Sequence, residues 1–301
     1  MSNLYSQKIG FIGIPKRVSG GSQMSVKTSL NFLELIKSSI ELNLKMGIKI
    51  LCIDTNEFKD LDFIYNFEFD EESPKVSKIL DQINGHLFGG NFRICFIVPK
   101  EKFLGSQLDE VPEETSDLLE KISSLLDLFG QKGRSVIVRI GSAYGNRKAT
   151  MESFNSRLLD LSPSCQKKIC VMNDEKPSLF SVTDLISGCY YASGVPVCFR
   201  FLNHIFNDGG LSIREAFFLS CSTWKFGSNP IIIHAEPESE DEFGLPSSST
   251  PGPFIKRRIP TFGLYPDILI DSPEKEIACS KYMSEMLSLP PIVFNKKKND
   301  K

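Results

Sequence analysis

The sequence predicts a single TIM (β/α)8 barrel of the α/β class, and three observations carry that expectation. Eight short runs rich in Ile, Val, Leu, Phe and Cys follow one another between Lys8 and Ile270. Most lead into a stretch with apolar residues at helical spacing, the order that parallel strands and crossover helices require. Eight such units in roughly 280 residues suit this barrel, whereas a doubly wound sheet usually needs fewer strands.

The elements follow in order. Lys8–Ile14 reads as the first strand, ending in Pro15-Lys16-Arg17 and a Ser/Gly loop. Ser25–Met46 carries Leu33, Ile36, Ile40 and Leu44 on one helical face, with Gly47 where a helix terminates. Ile48–Ile53 is the second strand, and a short helix is expected at Lys75–Ile83. Arg93–Val98 is the third, stopped by Pro99. Its helix, about Glu113–Phe129, has acids at the amino end of its dipole and Gly130 after it. The fourth strand starts at Val136 and breaks into Gly141-Ser142-Ala143-Tyr144-Gly145, followed by a helical Asn146–Leu159. Lys168–Met172, Val195–Phe201, Pro230–Ala235 and Asp267–Ile270 complete the strands, with helices at Val182–Ala192, Ser212–Ser220 and Glu274–Leu287. Residues 1–290 are expected to form one domain. Within them, 236–260 are too polar to carry a core and read as a long loop over the barrel mouth, and 291–301 read as a basic tail.

Composition narrows the function classes. Hydrophobic content of 41%, charged content of 24% and mean hydropathy of −0.11 are those of a globular chain with a sizeable core. A net charge of −2 gives no overall attraction to nucleic acid or to an anionic membrane, so DNA contact would need a local patch. The polar start Met1–Gln7 and the lack of a long uncharged apolar run predict an intracellular protein, cytoplasmic or nuclear, without membrane contact. The eight cysteines form no CxxC pair, and Cys52, Cys95, Cys170 and Cys198 sit inside apolar runs, so buried reduced thiols are expected.

Chemistry in such a barrel comes from the carboxyl ends of its strands. Those ends supply Pro15 and Lys16, Thr55 and Asn56, Val98 and Pro99, Arg139, Met172 to Asp174, Arg200 to His204, His234 to Glu236, and Asp271. A metal-dependent hydrolase needs several histidines and carboxylates converging there. Of only three histidines, His86, His204 and His234, the last two lie at strand ends.

Several short motifs in order now point to a family. Ile140-Gly141-Ser142-Ala143-Tyr144-Gly145, Asn173-Asp174, Gly194-Val195-Pro196-Val197 with Leu202-Asn203-His204, Thr223-Trp224, and His234 together resemble the UV damage endonuclease family. The resemblance covers most of Lys8 to Asp271 and is strongest over 136–236. It implies a TIM-barrel endonuclease with a cluster of divalent metals, usually manganese, that nicks DNA beside photolesions.

Carried over residue by residue, the implied metal site is mostly replaced. Arg139 and Val98 stand where the family has histidines, Met172 where it has a glutamate, Arg200 where it has an aspartate, and Asn203 where it has the first histidine of a pair. Ile232 replaces a lysine, and Asn56 and Phe254 stand near two further histidines. His204, His234, Asn173, Asp174 and Asp271 survive, the last in place of a longer glutamate. Two arginines in one small mouth oppose a bound cation. Arg139 and Arg200 either form buried ion pairs with Asp271, Asp174 or Glu236, or bind phosphate. The histidines read as hydrogen-bonded core residues, Asn173 and Asp174 as caps or loop ties, and Trp224 as core.

On the substrate side, Lys16, Arg17, Lys100, Lys102 and Phe103 would form a basic patch with one aromatic if their loops face the same mouth; they are equally ordinary solvated surface. The expected protein is a catalytically degenerate relative, a pseudoenzyme acting in binding or assembly, with duplex DNA or a protein assembly as partner and no cofactor. The alternative is an active DNA repair endonuclease whose reduced divalent metal site is held by His204, His234 and Asp271.

Overall fold

Eight parallel strands close into a barrel in sequence order. The computed structural model describes residues 7–66, 73–99, 101–108, 110–143, 145–225, 228–242 and 244–290; the expected basic tail 291–301 lies outside the described residues. The strands are β1 (Ile9–Ile12), β2 (Ile50–Asp54), β3 (Arg93–Ile97), β4 (Val136–Val138), β5 (Ile169–Met172), β6 (Val197–Arg200), β7 (Ile231–His234) and β8 (Asp267–Ile270). Ile9 of β1 registers against Ile268 of β8, which closes the sheet and leaves no edge strand. Among the described residues no helix is long and apolar enough to cross a membrane.

Alternation along each strand sorts side chains into two layers. Ile50, Cys52, Cys95, Ile137, Cys170, Met172, Cys198, Ile231, Ile233 and Leu269 fill the barrel interior. Phe11, Phe199, Ile232, Ile268 and Ile270 face the surrounding helices. All eight cysteines are buried and free, and burial pushes up the thiols of Cys52 and Cys198, and that of Cys95 to about 12. They act as small apolar filling. Gly10 on β1 has no room for a side chain because the backbone and Cβ of Ile50 lie against it.

The floor of the barrel is polar but paired. Arg93 points inward from the start of β3 and binds Asp267, at the start of β8, at 2.6 Å, and Arg93 also donates to the carbonyls of Asn229 and Arg134. Asp267 accepts in addition from Lys8 N and Asn229 Nδ2, each at 3.1 Å.

Most helices agree with the periodicity to within a few residues, and the departures have local causes. The first long helix starts at Ser29, not Ser25, because Thr28 is its N-cap and accepts from Asn31 N. The expected Lys75–Ile83 helix runs over Pro74–Gly90, since a proline suits a first turn and Asn91 takes the left-handed closing position. Val182–Ser193 is interrupted by a π turn at Ile186–Tyr190, where Gly188 packs against Met151 and its carbonyl accepts from Asn155 Nδ2 at 2.7 Å. The polar stretch after β7 is only partly a loop. Pro237 bridges Pro251 and Glu240 bridges Pro246 in an antiparallel arm, and Ile255 and Ile259 are buried beyond it. Arg258 N and Ile259 N then bond Pro290 O and Tyr282 Oη, so this end of the segment lies against the last helix, Lys275–Glu285.

The floor pair makes a separable prediction. Asp267→Ala strands the Arg93 guanidinium and is expected to cost about 3–5 kcal/mol in urea unfolding, whereas Arg93→Met with Asp267→Leu costs much less. Equal losses in the two variants would show that the pairing of these charges is not what matters.

Candidate functional site

Two arginines and four carboxylates meet at the carboxyl ends of the strands. β4 stops at Val138, and Arg139, two residues after the inward Ile137, keeps the inward direction. Arg200 ends β6 and follows the inward Cys198 by the same step. Arg139 Nη1 donates to Asp174 Oδ1 at 2.8 Å and to Glu175 Oε2 at 3.2 Å. Arg200 Nη2 donates to Asp271 Oδ2 at 2.6 Å. Both guanidinium groups are largely shielded, with side chains 17% and 13% exposed.

Burial sets the electrostatics. Asp174 is 1% exposed, and burial pushes its carboxyl up to about 6 against the opposing pull of Arg139. Its Oδ2 has no partner among the described residues. Asp54, at the end of β2, accepts from Asn56 N and Nδ2. Burial raises its carboxyl, and the nearby charge of Asp271 adds to the rise.

The asparagines fix this frame. Asn173 grips the backbone of Arg200 through both amide atoms, accepting from its N–H at 2.8 Å and donating to its carbonyl at 3.2 Å. Asn203 Nδ2 donates to Asn173 O, and Asn207 Nδ2 to Asp174 O and Lys176 O. Asn173 is therefore a tie between the ends of β5 and β6, not a helix cap. At Asn203, where the resemblance implies a histidine ligand, the side chain is committed to that tie.

The two histidines stand elsewhere. His234 shares the outward face of β7 with Ile232, and its ring lies 5.3 Å from that of Phe201. Burial lowers its imidazole to about 4, and both ring nitrogens lack partners among the described residues. His204, on the short helix Phe201–Phe206, bonds Leu211 O through Nε2 and packs 5.4 Å from Phe199. The structure thus does not bring His204, His234 and Asp271 together, and among the described residues no three His, Cys, Asp or Glu side chains could hold a metal ion. The donor set does not fit the metal cluster the resemblance implies. Val98 and Met172, 5% and 2% exposed, refill two of its positions.

Other expectations resolve individually. Glu236 is not a partner of Arg139 or Arg200: it lies outside the barrel interior and is held by Arg257, which also binds Glu240. Trp224 is core, donating from Nε1 to Val197 O at 2.8 Å. Lys16 is paired with Glu274 at 2.9 Å, and Lys102 with Glu114. Arg17 is exposed, and Lys100 lies outside the described residues. Phe103 does not project as a probe; its ring fills the space over Gly141, whose φ of 121° and lack of a side chain permit that contact. Sequence reasoning missed Asp54 and Glu175. Inward parity along β2 and adjacency to Asp174 were the signals that could have found them.

His234 yields a pH prediction. Its folded pKa, about 4, lies below its ordinary 6.5, so its contribution to stability is present above 6.5 and is lost as pH falls towards 4. That loss is about 3 kcal/mol. His234→Leu is expected to leave stability at pH 7.5 unchanged or raised and to flatten the decline between pH 6.5 and 4.5 in thermal melts.

Comparison with known proteins gives the lineage. The family model of the UV-endonuclease UvdE matches residues 29–292. The chain is 24% identical over 261 residues to the UV DNA damage endonuclease of Clostridium perfringens, covering 83% of this chain and 59% of that protein. It is 25% identical over 250 residues to that of Bacillus cereus strain B4264, covering 81% and 75%. The chain thus spans about three fifths of the length of the Clostridium relative. Among solved structures, SacUVDE superposes with a TM-score of 0.77 at 22% identity, over 94% of this chain and 98% of that one. Endonuclease IV from Thermus thermophilus gives 0.60 at 12%, over 93% and 99%. These two likenesses concern the fold. The extent of the family match, nearly the whole barrel, makes this chain a member of the UV-endonuclease UvdE family.

Proposed function

We propose that this family member does not nick DNA by metal-dependent hydrolysis and works instead as a binding protein, on DNA or within a protein assembly. The observation that carries the reading is the occupation of the mouth by Arg139 and Arg200, each bonded to a carboxylate that a cation would otherwise need. Metal-assisted hydrolysis requires an open coordination position and ligands fixed around it. Here the carboxylates are engaged and the histidines face away.

A DNA partner is supported by the family and by relatives described as UV DNA damage endonucleases. The loops offer little charge for it, since Lys16 and Lys102 are neutralised by acids. Arg17 remains exposed in the short helical turn Lys16–Ser19 after β1, where Glu276 accepts hydrogen bonds from the backbone N–H groups of Lys16 and Arg17 and fixes the turn.

Two measurements test this. Purified protein with UV-irradiated supercoiled plasmid and Mn2+ is expected to produce no nicked circles above a chelated control; nicking that a chelator abolishes would overturn the proposal. Duplex binding is expected to be weak, with a slope of log K against log salt of about −1 to −3, and Arg17→Ala is expected to reduce that slope by about 1. An unchanged slope in Arg17→Ala would remove this turn from the interface.

A further inference from the structure

We propose that an apolar groove at the amino end of the barrel, opposite the mouth, is the docking site of the chain's own segment Pro291-Ile292-Val293-Phe294.

The groove is assembled from three pieces of chain. The helix Ile213–Ser222 gives Phe218, the connection to β7 gives Trp224 and Pro230, and the connection to β8 gives Leu264, Tyr265 and Pro266. Together they enclose about 430 Å3. Pro230 and Pro266 stand directly before Ile231 of β7 and Asp267 of β8, which places the groove at the floor of the barrel. Leu264 and Tyr265 are 37% and 68% exposed on its wall, and among the described residues lining it only Lys225 is charged. The nearby polar groups are engaged within the protein: Trp224 Nε1 donates to Val197 O, Asn229 Nδ2 to Asp267 Oδ1, and Ser228 Oγ to Lys225 O. What the groove offers a ligand is chiefly aromatic, leucine and proline surface, the kind that accepts an extended, proline-led segment.

The occupant follows from where the chain goes. Pro290, the last described residue, accepts from Arg258 N at 2.8 Å, and Arg258 Nη2 donates to Leu287 O at 2.7 Å. Leu289 packs on the apolar cluster that holds Phe217, and Phe218 and Phe262 pack on the same cluster with their rings 6.0 Å apart. The chain is thus delivered to the cluster whose Phe218 lines the groove. Six residues lead from Arg258 to Leu264, a span of at most about 21 Å, and the turn that Leu264 N closes on Thr261 O shortens it. Pro291–Phe294 alone extend about 14 Å. In sequence, Pro290-Pro291 favours the extended polyproline conformation, and Ile292-Val293-Phe294 is a run of three large apolar residues ahead of Lys296-Lys297-Lys298. Such a run is disfavoured in water and gains by meeting the exposed Leu264 and Tyr265. The three lysines would lie beyond the apolar groove, away from Lys225.

Trp224 is the only tryptophan in the chain and lines the groove, so its fluorescence reports on what covers it. Acrylamide, a neutral quencher, is titrated into the full-length wild type and into full-length Ile292→Ser with Phe294→Ser, whose fold is checked by circular dichroism. The variant is expected to raise the quenching constant about twofold, as expected when a segment no longer covers its site. Tyr265→Ser, at an exposed position on the groove wall, is expected to weaken docking, so the tail substitutions add little in that background. Equal quenching of wild type and tail variant overturns the proposal, as does an undiminished effect of the tail substitutions beside Tyr265→Ser. Protection of Trp224 that falls on dilution, together with a dimer in sedimentation velocity, also overturns it and assigns the groove to a second copy of the chain.

Discussion

Charges that point into a barrel must find partners inside it, and this constraint governs both ends of the structure. The middle of the barrel is filled by thiols and branched apolar side chains. Below that layer Arg93 meets Asp267; above it Arg200 meets Asp271 and Arg139 meets Asp174. Asp267 and Asp271 lie four residues apart, so the inward face of β8 and its continuation supplies an acid to each end. A single unpaired member at either end would be a buried charge, costly by several kcal/mol. The sheet register, the inward parity and the ion pairs therefore stand or fall together.

The asparagine ties belong to the same system. A guanidinium reaches its carboxylate only if the strand that carries it ends at the right height. Asn173 holds the backbone of Arg200 directly, while Asn203 and Asn207 hold the turn after β5 that carries Asp174 and Glu175. Positions that could have presented metal ligands thus serve as rigid amide braces, and the mouth is a structural element as much as a surface.

Much of the fold was legible because buried parallel strands are continuous apolar runs with glycine and proline at their ends. The same property concealed the site. In Ile231-Ile232-Ile233-His234 both faces are apolar, so the sequence carries no alternation from which to read that His234 looks outward. Arg139 was conspicuous because it broke such a run, but its partner could not be chosen among Asp174, Asp271 and Glu236 without knowing which way each strand end turned. Lys16 and Lys102 looked like a basic patch because their acidic partners, Glu274 and Glu114, lie far away in sequence or on a different element. Phe103 had the look of an exposed aromatic because nothing in the sequence says that Gly141 leaves a hollow for it.

The seam between the first and last elements has a consequence for how the chain is made. Glu276 is fully buried and accepts hydrogen bonds from the backbone of Lys16 and Arg17, Lys275 reaches Ile14 O and Glu57, and β1 pairs with β8. The bond from Lys16 to Glu276 joins residues 260 apart, near the greatest separation the chain offers. During synthesis the first strand leaves the ribosome long before its second neighbour exists, and must wait with one side open. Closure is then a late event of high contact order, and the interval before it is when an incomplete sheet is most exposed to pairing with another chain.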